Sequence, residues 1–212
     1  MKQFLFLMMV FNFYLFQSQN ITQKHKMLLN YEKKALYFEN NKNYTEALRV
    51  YCDIKSFNFP VDLNKRATDK VNFLLPICRK DIISKLKGRW KLVKKYENRK
   101  TNIVFSDVIE FTENQIVFSD IFKDKEKVIS NQNLYIECYH SDFPTIKFGE
   151  NEIWVLSFRE INNEKRLIWE LRVKDEIEFV YNDERGMLRN KIDREKALKE
   201  EIHTYYMKVE ET

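Results

Sequence analysis

The hydrophobic period of this chain changes once, at Gly88, from helical spacing to alternation. A chain patterned in this way builds helices first and a sheet second. Up to Leu86 the apolar residues recur at helical intervals. Leu28, Tyr31, Ala35 and Phe38 share one face of a first helix. Asn40, Asn41 and Asn43 interrupt it, because asparagine accepts the left-handed turn that a helix exit often needs. Asn43 followed by Glu46 reads as the N-cap and N3 partner of a second helix. That helix turns Ala47, Leu48, Tyr51 and Ile54 inward, runs to about Phe57 and is closed by Pro60. A third helix begins near Asp62 and carries Leu63, Ala67, Val71, Leu74, Cys78, Ile82 and Leu86 on one side. Pro76 lies inside it, lacks a backbone donor, and predicts a kink or a break.

Beyond Gly88 the spacing is that of strands. Trp90 and Leu92 alternate with Lys91 and Val93; residues 108–112, a turn at Glu113-Asn114 and residues 115–118 read as a hairpin. Further strands fit Val128 to Tyr139, Ile153 to Glu160, Arg166 to Val173 and Ile177 to Tyr181, with a hairpin turn at Asn162-Asn163. Asp193 to Glu201 looks helical, and His203 to Val209 fits a closing strand. The expectation is an α+β chain: an N-terminal helical hairpin and third helix, then seven or eight antiparallel strands. That number suits a small closed barrel, which leaves no exposed edge.

Composition removes whole classes of function. Only three glycines occur, at 88, 149 and 186, so no G-x-G-x-x-G loop, Walker A loop or G-x-S-x-G elbow can be written. Residues Phe4 to Phe16 form a 13-residue apolar run behind Lys2, broken only by Asn12. This is the pattern of a secretory signal, shorter than the ~20 residues of a membrane-spanning helix. Cleavage after Ser18 or Gln19 is expected, with export to the periplasm or beyond. No cysteine lies near the junction, which argues against a lipoprotein. The expected organisation is a signal peptide at 1–18, a helical segment at 19–87 and a barrel at 88–212.

Charge divides along the same line. Residues 19–87 carry 14 Lys plus Arg against 7 Asp plus Glu, and residues 88–212 carry 22 against 25. A basic helical half suits anionic lipid, acidic glycans or an acidic partner; it equally suits a lysine-rich composition without a dense basic run. Export disfavours nucleic acid.

Ala35, Phe38, Ala47, Tyr51 and Ile54 occupy the small and aromatic positions of a tetratricopeptide repeat, with its 12-residue gap between the alanines. The segment resembles one such repeat; a plain helical hairpin is the alternative. Gly88-Arg89-Trp90, opening the first strand directly after a helix, resembles the G-x-W signature of lipocalins and lipocalin-like domains. The resemblance implies a tryptophan plugging one end of the barrel, with a basic residue from a late strand lying across it. Lys208 is the first candidate for that cation and Arg172 the second, where the family usually has arginine. It also implies a binding protein for a small apolar or amphipathic molecule.

Trp154, Leu156 and Phe158 on one strand, with Leu167 and Trp169 on its partner, either line such a ligand's cavity or form a solid core. The expected ligand-binding residues are Trp154, Phe158 and Trp169. If the barrel is solid, the alternative is a non-enzymatic module that grips a protein or the envelope surface through its basic helices. No cofactor is expected. His25, His140 and His203 fall in separate elements and support no local triad motif. Cys138, His140 and Asp142 alternate as metal ligands on a strand would, but Ser141 to Pro144 reads as a turn that breaks it. Asp120, Asp124 and Glu126 lack calcium-loop spacing. Cys52 and Cys78 sit on helix faces that should meet, so they are either a disulfide or, as we favour, two free buried thiols.

Overall fold

The computed structural model describes residues 26–57, 61–95, 105–148, 151–161, 163–178, 184–200 and 202–209. The chain divides into two compact units, the first ending at Cys78 and the second running from Arg79.

The first unit is helical. Helix α1 spans residues 26–40, α2 spans Tyr44–Ser56 and α3 spans Val61–Leu86, its last two turns belonging to the second unit. Most of the residues expected to turn inward do so: Leu28, Ala35, Ala47, Leu48, Tyr51, Ile54, Ala67, Val71, Leu74 and Cys78 are buried, whereas Tyr31, Phe38 and Leu63 are only half-buried. Asn43 caps α2, its side chain accepting from the Glu46 N–H at 3.4 Å. The left-handed residue between α1 and α2 is Lys42, with φ +59°, and not one of the asparagines. Asn41 instead donates from its side-chain amide to the Tyr37 carbonyl at 2.7 Å, satisfying an end carbonyl of α1. Glu39 ties the three helices together. It accepts from Tyr51 Oη of α2 at 3.0 Å and pairs with Lys70 of α3 at 2.6 Å. Of the kink or break expected at Pro76, the break does not occur, since α3 is helical throughout. Pro76 and Asn72, whose carbonyl loses its donor, are both exposed, where the lost bond is least costly. Pro60 lies outside the described residues.

The second unit is an antiparallel sheet. Its strands are β1 (Gly88–Lys94), β2 (Val108–Phe111), β3 (Gln115–Phe122), β4 (Lys125–Asn133), β5 (Ile136–Tyr139), β6 (Asp142–Phe148), β7 (Glu152–Ile161), β8 (Glu164–Lys174), β9 (Ile177–Glu178) and β10 (Tyr205–Lys208). Helix α4 (Lys191–Lys199) precedes β10. The order is β4-β3-β2-β1-β10-β8-β7-β6-β5, with β9 appended to β8. Strands β1 to β4 and β5 to β9 thus form two runs in which sequence neighbours pair, and β10 joins the runs by pairing with both β1 and β8.

Only β4 and β5 would have to join to close the ring, and no such pairing exists among the described residues. The sheet is a curled half-barrel of nine strands rather than the closed barrel expected. Local features mark the two strands that border the seam. Ile129 is an extra residue in the β3–β4 ladder, a bulge that bends β4, and Lys125 and Lys127 lie near its exposed end. Across the seam, the Arg79 guanidinium donates to the Ile136 carbonyl at the start of β5 and stacks 4.9 Å from the Tyr135 ring.

The run expected as one strand from Val128 to Tyr139 is two, divided at Leu134-Tyr135. The turn expected at Ser141 to Pro144 falls at His140-Ser141 and does divide β5 from β6, but Asp142 to Pro144 already belong to β6. Pro144 is accommodated because ladder pairing with β7 starts at Thr145 and the β5 register shifts beside it.

Candidate functional site

Alternation along each strand puts one set of large residues on the concave face of the sheet. Leu92 pairs with Tyr206, Tyr206 with Leu167, Leu167 with Phe158 and Trp169 with Leu156, so these residues share a face with Trp90, Trp154 and Phe111. The three residues expected to bind a ligand thus do lie on one side. Trp169 is the centre of that face. Its ring centroid lies 5.7 Å from Trp154, 6.1 Å from Phe111, 6.3 Å from Tyr206, and 6.4 Å from both Phe118 and Phe148. Rings from five other strands surround one indole. Trp90, Trp154 and Trp169 keep only 2, 5 and 3% of their surface. The interior around Trp169 is filled by side chains. Phe158 differs: it is 36% exposed and its ring lies 6.1 Å from Trp90.

Trp90 is the third residue of β1 and lies on this face, almost wholly buried. Its Nε1–H donates to the Leu86 carbonyl at 2.6 Å, which ties the last turn of α3 to the first strand. Lys208, its partner in the β1–β10 ladder, holds its ammonium 5.7 Å from the indole centroid. Gly88 has φ +111°, and a Cβ there would stand 3.2 Å from Lys208 Cε. Gly88, Trp90 and Lys208 are therefore one contact set. Arg172, the second candidate for the cation, instead pairs with Asp142 at 3.1 Å.

Sequence reading missed Tyr206, Phe111, Phe118 and Phe148 as members of the aromatic set. Period-two alternation in β2, β3 and β10 carries the signal, but their meeting at Trp169 depends on curling of the sheet. Tyr206 also holds its end of the ladder through its hydroxyl, which donates to the Ser106 carbonyl at 3.0 Å. Burial, and then the Asp107 and Asp120 carboxylates, push its phenol well above the usual value. Those carboxylates are engaged with backbone: Asp120 accepts from the Asp107 N–H at 3.2 Å and Asp107 from the Ile121 N–H at 2.8 Å.

The remaining candidates are dispersed. His203 is buried with its Nε2 2.9 Å from Glu170 Oε1; His140 occupies a turn at φ +50°; His25 lies outside the described residues. Cys52 and Cys78 are buried and form no disulfide with each other or with Cys138. No group of three His, Cys, Asp or Glu among the described residues stands together as metal ligands. Asp124 takes φ +61° at the β3–β4 turn, and Glu126 pairs with Arg89. A depression of about 420 Å³ lies at the β2–β3 turn, lined by Lys87, Thr112, Glu113, Asn114, Gln115 and Asn133, away from the aromatic face.

No protein-family model, curated protein or solved structure matches this chain. No described helix is long and apolar enough to cross a membrane.

Proposed function

We propose that this protein is a non-enzymatic interaction module, in which the curled sheet is a solid support and the helical unit makes the contact. The observation that carries this reading is the packing of Trp169 against five aromatic rings, with the three tryptophans almost wholly buried. Ligand pockets of barrels are concave spaces of some ~300–1,000 Å³, and those rings occupy the place where one would lie. The helical unit, by contrast, leaves Leu29, Leu36, Tyr37 and Phe57 exposed. Export through the apolar run at 4–16 belongs to the same proposal and places the contact in the periplasm or outside the cell; the mass of the mature chain tests it.

A second reading keeps a small apolar ligand at Trp154, Phe158 and Trp169, and with it the lipocalin resemblance of Gly88, Trp90 and Lys208. Exposed Phe158 beside Trp90 is what favours it, as a rim where an apolar molecule would dock. The experiment that separates the two follows tryptophan fluorescence while fatty acids and an apolar dye are added. The interaction module gives no saturable change, because Trp90, Trp154 and Trp169 report on a filled interior. A saturable quench or shift that Trp169→Phe alters, without loss of folding, supports the ligand carrier instead.

A further inference from the structure

Asparagine followed at i+2 by serine or threonine, with no proline between them, is the acceptor sequence for an N-linked glycan in exported chains. It occurs twice here, as Asn20-Ile21-Thr22 and as Asn43-Tyr44-Thr45. Asn20 lies outside the described residues. In a chain this rich in asparagine the pattern arises easily from composition, so the geometry of Asn43 has to carry the argument.

Asn43 stands in the turn between α1 and α2, where residues 40–43 are all exposed. Its backbone is engaged on both sides. The N–H donates to the Phe38 carbonyl at 2.9 Å, and the carbonyl accepts from the Ala47 N–H at 3.0 Å. The side-chain oxygen Oδ1 accepts from the Glu46 N–H at 3.4 Å and so caps α2. The side-chain nitrogen Nδ2 makes no hydrogen bond among the described residues. That nitrogen is the atom to which an N-linked glycan attaches. An asparagine amide carries two N–H donors on nitrogen and its acceptor on oxygen, so replacing one N–H leaves the acceptor in place. Modification at Nδ2 is therefore compatible with the cap.

Two other asparagines show what is particular to this one. Asn41, equally exposed, uses its side-chain nitrogen on the Tyr37 carbonyl at 2.7 Å and has Asn43 at i+2. Asn190 caps α4 through its side-chain oxygen, as Asn43 caps α2, but has Ile192 at i+2. Asn43 alone of the three joins an exposed turn, a free Nδ2 and a hydroxyl residue at i+2.

We infer that Asn43 carries an N-linked glycan, attached as the chain passes through a eukaryotic secretory pathway. The inference rests on the export reading and commits it to a route out of the cell rather than to a periplasm. In the transfer, Asn43 Nδ2 attacks the anomeric carbon of an oligosaccharide linked to a lipid diphosphate. The bond from nitrogen to that carbon forms and the bond from the carbon to the phosphate oxygen breaks. The lipid diphosphate leaves, and the displaced amide proton passes to a base of the glycosyltransferase. Nothing is oxidised or reduced.

The test expresses the full chain, with its own apolar run, in a secreting eukaryotic cell. Peptide mass mapping then follows the product before and after treatment with peptide N-glycosidase, which removes the glycan and leaves aspartate at the attachment position. The peptide spanning residue 43 is expected to carry the glycan and to show aspartate there after treatment. Asn20→Gln should leave that result unchanged, which separates the two acceptor sequences. Thr45→Ala should abolish the glycan on residue 43, and Thr45→Ser should retain it. Both changes keep the Asn43 cap, and alanine and serine are both accepted by a helix, so loss of the glycan does not report loss of folding. A secreted chain with residue 43 unmodified, or a glycan on residue 43 that persists in Thr45→Ala, overturns the proposal and leaves export standing. A chain held in the cytosol with Met1 intact overturns the export reading and the glycan together.

Discussion

Lys208 lies directly across the β1–β10 ladder from Trp90 and holds its ammonium 5.7 Å from the centre of the indole ring. The contact joins the first strand of the sheet to the last, so one side-chain pair marks the place where the curl returns on itself. A cation over an indole adds about 0.5–1 kcal/mol at an exposed site. Lys208→Ala should therefore lower stability by about that amount, whereas Trp90→Ala, which also empties a buried site, should cost about 3–5 kcal/mol. Urea unfolding followed by far-UV circular dichroism measures both. Equal effects of the two changes would show that Trp90 is not a packed residue of the concave face.

Gly88→Ala tests the same corner through the backbone. The positive φ and the Lys208 methylene 3.2 Å from the added Cβ act together. The expected loss is about 1–2 kcal/mol, the cost of holding an L-residue in a left-handed region. A neutral result in urea unfolding would show that the backbone at residue 88 relaxes out of the positive-φ region and that the corner is loosely packed.

In the helical unit the node is Glu39, which accepts from Tyr51 and pairs with Lys70. Hydrogen bonds to charged groups contribute about 1.5–3 kcal/mol, and screening at the half-exposed Lys70 places the expected cost of Glu39→Ala near the lower bound. Burial, and next the bond to Glu39, raise the Tyr51 phenol well above its usual 10.0. Glu39→Ala should thus also bring Tyr51 down, which ultraviolet titration at 295 nm, the phenolate band, would follow.

Tyr206 gives a pH prediction with a definite sign. Burial raises its phenol above the ordinary value of 10.0, so between that value and the folded-state one the unfolded chain is ionised while the folded chain stays neutral. Stability from this group is complete below pH 10 and is lost as pH rises beyond it. Tyr206→Phe should lower stability at neutral pH by removing the bond to Ser106, and should flatten the decline above pH 10. A decline as steep in the variant as in the parent would assign the alkaline transition to other groups.

The parts of this fold that sequence made readable are those decided by neighbours in the chain. Leu167, Trp169 and Leu171 alternate with Ile168 and Glu170, and β8 follows; Asn43 and Glu46 mark the start of α2, and the cap forms. Pro144 misled because a proline in a strand is judged by whether its N–H is needed, which depends on the register of β5 and β7. The open seam was unreadable for a similar reason. Its two borders carry the bulge at Ile129 and the bond from Arg79 to the Ile136 carbonyl, and neither leaves a periodic trace. At the aromatic face, alternation placed Trp154, Phe158 and Trp169 on one side but could not say what stands opposite. Phe111, Phe118, Phe148 and Tyr206 arrive there through strand pairings distant in sequence, and they turn a wall into a core.

Whether that core is solid is the point on which the functional reading turns, and xenon measures it directly. Empty apolar cavities of ~150 Å³ stay dry and take up xenon, while a close-packed interior offers no room. Amide and methyl spectra recorded under xenon pressure should show no saturable shift centred on Trp154, Phe158 and Trp169. A saturable shift confined to those residues and the rings around Trp169 would reveal a cavity there, and would contradict the account of the sheet as a solid support.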